Sequence, residues 1–401
     1  MSIELFDDKK NCCACGACMN ICPKSAISMK ADEYGFLYPQ INTDLCIECG
    51  MCKKVCSYQN KTESNSPLKV YAAVTKSTDI SKSASGGIFA AIAQKIIEDG
   101  GIVFGASMEY KNGALTPVHI GVETKDELIK LMGSKYVQSS IANTYKELKS
   151  ELNKKRKVLY SGTPCQIAGL KGYLQKDYEN LYTVDIVCHG VPSAQFFSDY
   201  INNLENKLKG KIIDFKFRDK KVGWGHTAKV TYICNQKEKY KWIPNGESSY
   251  FSSFLNTDID RENCYSCKYA NSHRPGDISL GDYWGIEKMH PEYLVQNGGF
   301  IKVQDGSSCI IANTQKVLTL IDLCKDRIAY KESEFEKAAK GNGQLNRPSK
   351  RGKDRGLIMD AYKNGGYEAV EKVFIKRNLV KIIEAKAKYN VKRVLHKLKL
   401  R

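Results

Sequence analysis

The N-terminal cysteines are the residues whose type and spacing most directly imply chemistry. Nine of the sixteen cysteines lie between Cys12 and Cys56, where two groups of four, about 34 residues apart, share the spacing C-x2-C-x2-C-x3-C. In such a pair, three close thiolates bind one 4Fe-4S cluster and the remote fourth cysteine binds the other cluster. The predicted ligands are Cys12, Cys15, Cys18 and Cys56 for the first cluster and Cys46, Cys49, Cys52 and Cys22 for the second.

Zinc is the alternative occupant of paired cysteines. A zinc ribbon needs four ligands per ion and leaves the regular third and fourth spacings unexplained, so we favour iron-sulfur clusters. Gly16 and Gly50, one in each group, are expected to let the backbone turn tightly around the clusters. Cys13 fits neither group and is interpreted as a spare thiol.

The other seven cysteines are dispersed, and among them Cys264 and Cys267 alone have chelating spacing. Two ligands do not make a site. Cys165 follows a strand at a predicted strand-to-helix turn, and Cys188 follows an apolar strand, so these two can complete a set of four. The remaining three lie in apolar patterns and are expected to be buried hydrophobes: Cys234, Cys309 and Cys324.

Three glycine-containing turns are candidates for binding an anionic cofactor. The first precedes an amphipathic helix, whose free amides can hold a phosphate, although Ser85 can equally be a simple N-cap. The run 217–226 combines basic residues with Trp224 and His226, which suits an anionic aromatic cofactor as well as it suits a solvated hairpin loop. The candidate residues of the three turns are Ser85, Gly86, Gly87, Gly133, Ser134, Lys135, Tyr136, Gly162, Thr163 and Gln166.

Taken together, these motifs resemble the coenzyme F420 hydrogenase/dehydrogenase beta subunits, iron-sulfur flavoproteins that include the hydroxymethyl-chlorophyll reductases of plants. The resemblance spans about residues 70–310 and follows a ferredoxin module that some relatives carry on the same chain. It is carried by SASGG (83–87), GSKYVQSS (133–140), SGTPCQIAGL (161–170), DIVCHGVPS (185–193), FRDKKVGWG (217–225), CYSCKYA (264–270) and GDISLGDYWG (276–285).

The resemblance implies an FAD-containing domain with its own 4Fe-4S cluster. It makes Cys165, Cys188, Cys264 and Cys267 the expected ligands of that third cluster, and it implies that FAD lies near the three glycine-containing turns. His189, beside Cys188, is a candidate proton relay during hydride chemistry, against the plainer interpretation that it hydrogen-bonds its own loop.

The predicted function is that of a flavin-dependent iron-sulfur oxidoreductase. Clusters pass one electron at a time whereas most organic substrates exchange two, so FAD is expected to join them. The expected partners are a one-electron carrier or redox protein and a small two-electron donor or acceptor of unknown identity. The alternative is an electron-transfer subunit that serves a partner reductase without a substrate site of its own. The fused ferredoxin and the basic C-terminal extension argue against a simple subunit of a nickel hydrogenase.

The elements that must position these residues predict an α+β, or mixed α/β, fold. Strand and helix patterns alternate after Val70, as in a mixed sheet covered by helices. We expect a two-cluster ferredoxin domain at residues 1–60, a domain binding FAD and the third cluster at 70–345, and a basic helical extension at 346–401 with a break near Asn378.

The charge of the chain is concentrated in its C-terminal extension. Of the net charge of +18, residues 347–401 carry 17 Lys or Arg against 5 Asp or Glu, which is +12. Lysines without interleaved aromatics do not indicate nucleic-acid binding. No apolar run reaches the roughly 18 residues of a membrane span and the N-terminus lacks a signal-peptide pattern, so we expect a cytoplasmic protein.

The last predicted helix has an apolar stripe flanked by lysines and arginines. Three interpretations stay open: the stripe packs on the larger domain, it contacts an anionic membrane at the periphery, or it binds an acidic protein. The stripe consists of Val380, Ile383, Ala387, Val391, Val394 and Leu398.

Overall fold

The structure, a computed structural model, describes residues 4–60, 64–111 and 113–399, and the side chains of the last helix as far as residue 395. Its strands are β1 Ile27–Ala31, β2 Leu37–Ile41, β3 Lys69–Thr75, β4 Ile102–Lys111, β5 Ala114–Val122, β6 Val158–Gly162, β7 Leu181–Ile186, β8 Lys211–Lys216, β9 Thr227–Cys234, β10 Lys237–Pro244, β11 Ile278–Asp282, β12 Ser308–Ala312 and β13 Ile328–Ser333. Its α-helices are α1 Ala17–Ile21, α2 Met51–Lys54, α3 Ile88–Glu98, α4 Lys125–Leu128, α5 Thr144–Asn153, α6 Pro164–Leu174, α7 Ala194–Leu208, α8 Ser249–Leu255, α9 Ile286–Met289, α10 Gln315–Leu323, α11 Phe335–Gly341 and α12 Arg355–Lys399. The predicted α+β fold is confirmed.

An eight-stranded mixed sheet with the order β13-β3-β12-β11-β7-β6-β4-β5 forms the centre of the molecule. Its four middle strands, β11, β7, β6 and β4, run parallel to one another, and the outer pairs are antiparallel. Because the carboxyl ends of parallel strands meet at one edge, loops that follow β6, β7 and β11 converge there. That edge positions the functional residues.

A smaller three-stranded sheet, β10-β9-β8, lies beside the aromatic part of the core. Buried rings from α7, β8 and α8 pack there with the first turns of α12, through Phe197, Phe215, Tyr250, Met359 and Tyr367. The start of α12 is therefore part of the larger domain's core.

The helix α12 is interrupted twice. Its backbone leaves helical angles at Gly365–Gly366 and at Asn378, and the second interruption is the predicted break. Gly366 has φ +61°, a value that glycine adopts without strain. Among the described residues, no helix is long and apolar enough to cross a bilayer.

The N-terminal module packs directly against α6 through two glycines of that helix. A Cβ at Gly169 would come within 2.6 Å of the Cys15 sulfur, and one at Gly172 within 2.4 Å of the Val55 carbonyl oxygen. Asn20 adds a hydrogen bond from its side-chain nitrogen to the carbonyl of Ala142, 2.8 Å long. The glycines thus allow the cysteine-bearing module to approach the sheet domain closely.

Candidate functional site

The N-terminal cysteines divide into the two groups expected from their spacing. One cavity is lined by Cys12, Cys15, Cys18 and Cys56, and a second is lined by Cys22, Cys46, Cys49 and Cys52. Cys52 and Cys13 also reach the first cavity. Each group therefore contains the remote fourth cysteine of the other repeat.

Two glycines start the short helices that carry these cysteines. Gly16 at φ +72° precedes α1, and Gly50 at φ +70° precedes α2. Each helix is only about one turn long, and the next cysteine after it, Cys22 or Cys56, is the one that joins the other group. The tight turns expected at these two positions are present.

A third cavity is lined by cysteines from three separate segments. Cys165 lies at the start of α6, and Cys188 lies just after β7. Cys264 lies within a short 3₁₀ helix, Glu262–Ser266, and Cys267 directly follows it. Cys13 from the N-terminal module also lines this cavity. The four dispersed cysteines that the sequence singled out are therefore brought together.

Burial and mutual repulsion shape the thiol acidities of this third set. Burial raises the pKa of Cys188 and that of Cys264 well above the usual range, and raises that of Cys267 to about 11. Hydrogen bonding from Cys13 lowers the pKa of Cys165 to about 7. Four sulfurs in one buried space are unfavourable as free thiolates, and a cationic iron core is the kind of group that stabilises them.

Among the residues that the structure describes, no three His, Cys, Asp or Glu side chains converge on a point suited to one metal ion. Each of the three sets has the type and number of ligands that a 4Fe-4S cluster takes, namely four cysteines.

A fourth cavity, much larger than the three cysteine cavities at about 510 Å³, lies at the carboxyl ends of the parallel strands. It is called the large cavity below. It shares Cys165, Cys188 and His189 with the third cysteine cavity. Nine of the ten residues expected near the flavin line it: Ser85, Gly87, Gly133, Ser134, Lys135, Tyr136, Gly162, Thr163 and Gln166.

Gly86, the tenth residue, does not line this cavity. A Cβ there would come within 2.6 Å of the Ala73 carbonyl oxygen and 2.7 Å of the Ser308 nitrogen. The glycine is therefore required by packing against β3 and β12. Ser85 is also engaged, since its hydroxyl donates to the carbonyl of Ser307 at 2.8 Å.

The amphipathic helix that follows the first glycine-containing turn starts at Ile88, so Ser85 is not its N-cap. Gly87 is its N-cap at φ +81°, and the residues before it form turns. The first residues of the helix, Ile88, Phe89 and Ala90, line the cavity. Its first amides have no partner within the helix, so this end of α3 is suited to an anion.

Lys135 and His189, two polar residues singled out from the sequence, line the large cavity and are held there by hydrogen bonds. Lys135 donates to the carbonyls of Lys130 and Met132, at 2.8 and 2.9 Å, and burial lowers its pKa to about 7. Gln344 donates its amide to Nδ1 of His189 at 3.0 Å, so the neutral ring carries its proton on Nε2. Burial also lowers the pKa of His189.

Arg218 and Trp224 belong to the run 217–226 that the sequence marked as a candidate for binding a cofactor, whereas Trp284 was not assigned a role from the sequence. The rings of Trp224 and Trp284 stack at 4.3 Å, and Trp284 lines the large cavity. Arg218, whose side chain is 2% exposed, pairs through Nη1 with Asp282 at 2.5 Å and also interacts with the side chain of Tyr136, which lines the large cavity. The aromatic and charged residues are visible in the sequence, in the run 217–226 and in the segment GDYWG. That these two segments lie against each other is visible only in the folded structure.

Comparisons with known proteins agree with this division of the chain. Residues 155–338 match the model for the C terminus of the coenzyme F420 hydrogenase/dehydrogenase beta subunit, and residues 11–60 match a 4Fe-4S dicluster domain. An uncharacterized protein of Methanocaldococcus jannaschii is 26% identical over 360 residues, which cover 80% of this chain and 95% of that protein. An uncharacterized ferredoxin of the same organism is 32% identical over 56 residues, which cover 14% of this chain and 71% of that ferredoxin.

Among solved structures, a chain of the F420-reducing NiFe hydrogenase complex from Methanosarcina barkeri, studied by xenon derivatization, is similar at a TM-score of 0.42 and 17% identity. The match covers 77% of this chain and 92% of that chain. The chain is an iron-sulfur electron-transfer protein. It combines an N-terminal 4Fe-4S dicluster domain with a region that matches the C terminus of the coenzyme F420 hydrogenase/dehydrogenase beta subunit.

Proposed function

We propose that this chain is a flavin-dependent oxidoreductase in which three 4Fe-4S clusters and FAD connect a one-electron carrier with a two-electron substrate. The order of four cavities carries this proposal. The second N-terminal cysteine cavity meets the first at Cys52, the first meets the third cysteine cavity at Cys13, and the third meets the large cavity at Cys165 and Cys188. Groups bound in these cavities would lie in one continuous row.

The third cluster is proposed to be held by Cys165, Cys188, Cys264 and Cys267. Support comes from their shared cavity and from the neighbouring buried ion pair of Arg274 with Asp185, 2.6 Å long, which fixes the ends of β7 and β11. Hydrogen bonds and charge around cluster sulfurs set the reduction potential of such a site.

FAD is proposed to occupy the large cavity. The amides at the start of α3 and the guanidinium of Arg218 are suited to its pyrophosphate, and Lys135 supplies a further polar contact. When bound, FAD would exchange two electrons with an organic substrate and single electrons with the clusters. The nine lining residues predicted from the sequence remain the proposed binding residues.

His189 is the proposed proton relay of this cavity. Gln344 holds one ring nitrogen, and the other, Nε2, is buried. Once protonated on both nitrogens, the ring would give its Nε2 proton to the substrate and return to the neutral form, which burial favours by lowering the pKa of His189. The chain would thus present an N–H group beside the cavity that the proposed substrate shares with the flavin. His189→Gln should slow substrate turnover while iron and flavin contents stay unchanged, and an unchanged rate would contradict the role.

The test of the proposed function is a chemical inventory followed by an activity. Full-length chain purified without oxygen should contain about twelve irons and twelve sulfides, and should release one FAD on heating. It should also reduce a one-electron dye when given a suitable hydride donor. About eight irons and no flavin would contradict the proposal.

The alternative function, an electron-transfer subunit that serves a partner reductase, predicts a different result in the same experiment. The chain would contain iron and bound flavin, but no hydride donor would reduce the dye until a partner protein is added. Reduction by the isolated chain would exclude it.

We further propose three domains, at residues 1–60, 70–345 and 346–401, of which the third packs its first helical turns into the core of the second. We also propose a cytoplasmic protein whose last helix contacts an anionic membrane surface at the periphery. The predicted apolar stripe supports the membrane contact because its residues are exposed, with Val380 at 69% and Ile383 at 60%. The face of the helix that packs on the larger domain is a different one, formed by Ile382 and Ala385. The expectation that the stripe itself packs on the domain is therefore wrong for its described residues.

A further inference from the structure

Cys13 lies between two of the cysteine sets although it belongs to neither. Its side chain is 4% exposed, and it lines both the cavity of Cys12, Cys15, Cys18 and Cys56 and the cavity of the third set. The sequence offered no role for this residue beyond a spare thiol.

Cys13 lines one cavity together with a member of each set and interacts with both members. These neighbours are Cys15 in the N-terminal module and Cys165 at the start of α6, so the Cys13 thiol is in place to donate a hydrogen bond to either sulfur. A thiolate bound to iron can only accept a hydrogen bond, so the S–H group of Cys13 is the donor in either contact. Thr163 also reaches Cys165, with 3.1 Å between its Oγ1 atom and the sulfur.

The larger domain holds the Cys13 loop in position from two sides. Gln138 donates its amide to the carbonyl of Cys13 at 3.0 Å, and Arg261 donates through Nε to the carbonyl of Cys12 at 3.0 Å. The close approach of Gly169 to Cys15 leaves no space between α6 and this loop. The thiol therefore has a fixed place at the boundary of the two sets.

Positive charge accompanies the thiol at this boundary. Arg261 is fully buried and acts electrostatically on both Cys12 and Cys165. Lys268, from the third-set segment, interacts with Cys13, Cys56 and Cys267. Both cations favour the more negative, reduced state of nearby clusters.

We propose that Cys13 is a positioning residue that links the first N-terminal cluster to the third cluster, by donating a hydrogen bond to their ligand sulfurs across the domain boundary. The hydrogen bond raises the reduction potential of the cluster that accepts it and gives an electron a short path between the two sites. One electron passes, so one site is oxidised as the other is reduced, and the thiol keeps its proton. This inference rests on the proposed third cluster.

The experiment compares full-length wild type with Cys13→Ala and Cys13→Ser, using iron content and reduction potentials from titrations followed by electron paramagnetic resonance. Cys13→Ala should keep the wild-type iron content and should lower the potential of the first or the third cluster. A tenfold change in the equilibrium constant for one electron corresponds to about 59 mV. Cys13→Ser retains a donor and should lie between alanine and wild type.

Cys324→Ala is the matched control, because Cys324 is also a fully buried thiol and no other cysteine is among its electrostatic neighbours. It should leave all potentials unchanged. Unaltered potentials in an iron-replete Cys13→Ala variant would overturn the inference, and so would the loss of one cluster's iron, since Cys13 would then be a ligand. A wild-type chain without the third cluster's signal would instead refute the proposed function, so the two failures are distinguishable.

Discussion

Cys264 offers the most direct test of a single ligand. It is one of the four proposed ligands in the third cavity and does not line the N-terminal cavities. Replacing it by serine should lower the iron content from about twelve to about eight per chain, because an incomplete set rarely retains a cubane. The N-terminal clusters should keep their spectroscopic signals. Retention of all the iron would show that the third set has been misassigned.

Lys135 predicts a pH dependence of flavin binding. Burial lowers its pKa to about 7, with Asp214 and Glu109 as opposing acidic neighbours and His119 nearby. The lysine is therefore charged below pH 7 and neutral above it. The dissociation constant of FAD should rise as pH increases through 7, by at most about tenfold per unit for one linked proton.

Lys135→Met keeps the length of the side chain and removes the charge, so the dissociation constant of that variant should vary little between pH 6 and 8. Binding can be followed by flavin fluorescence on the apoprotein of both chains. Equal pH dependence in the two would exclude this lysine as the responsible group.

Residues of the N-terminal sets were predictable because their spacing is local and repeats. The third set was different, since Cys165, Cys188 and Cys264 come from separate segments and needed a family resemblance to be joined. The place of Cys13 was not accessible, because it depends on how α6 and the N-terminal module dock. Gly86 shows the same limit: its sequence context suits a phosphate loop, whereas its neighbours are strand backbones.

At the level of elements, β4 allows the location of the flavin to be tested. Ala106 lies on this strand and lines the large cavity, so Ala106→Phe should place a ring in the proposed flavin space. Overpacking of this kind costs about 1–3 kcal/mol, which is roughly a tenfold to hundredfold loss of FAD affinity.

Thr116→Phe, on the neighbouring strand β5 and outside the cavity lining, introduces the same ring as a control. It should bind FAD as wild type does. Full flavin occupancy in a folded Ala106→Phe chain would place the cofactor elsewhere.

Element interiors were easier to predict than their ends. The amphipathic pattern correctly indicated α3, but its start is set by the positive φ at Gly87, which the pattern does not show. Strand β5 begins at Ala114, and Pro117 within it is tolerated because β5 is the edge of the sheet. The break at Asn378 was predicted, whereas the interruption at Gly365–Gly366 was not, despite its glycine pair.

On the scale of the whole molecule, the order of the four cavities indicates from which side each redox partner would approach the chain. Cys49, in the second N-terminal set, is exposed, and the apolar side chains of Leu45 and Ile47 beside it are 50% and 58% exposed. The large cavity lies at the other end of the row. A protein carrier would accordingly reach the chain at the N-terminal module, and a small substrate would reach it at the sheet edge.

The last helix gives a prediction on the scale of the whole molecule, because its apolar stripe and its positive charge face outward together. Each basic residue near an anionic surface contributes on the order of 1 kcal/mol, and the attraction weakens as salt rises. The full chain should co-sediment with anionic vesicles at low salt. With neutral vesicles it should stay in the supernatant. A chain truncated after Asn378 should lose this binding, since it lacks the exposed Val380, Ile383 and Val391. Replacing these three by serine in the full chain is the sharper variant, because the positive charge is retained: weaker binding assigns a role to the stripe. If the full chain does not bind anionic vesicles, or if the truncated chain still binds them, this helix is excluded as the membrane contact. Binding of an acidic protein instead of vesicles would favour the interpretation that the stripe is a protein-binding site.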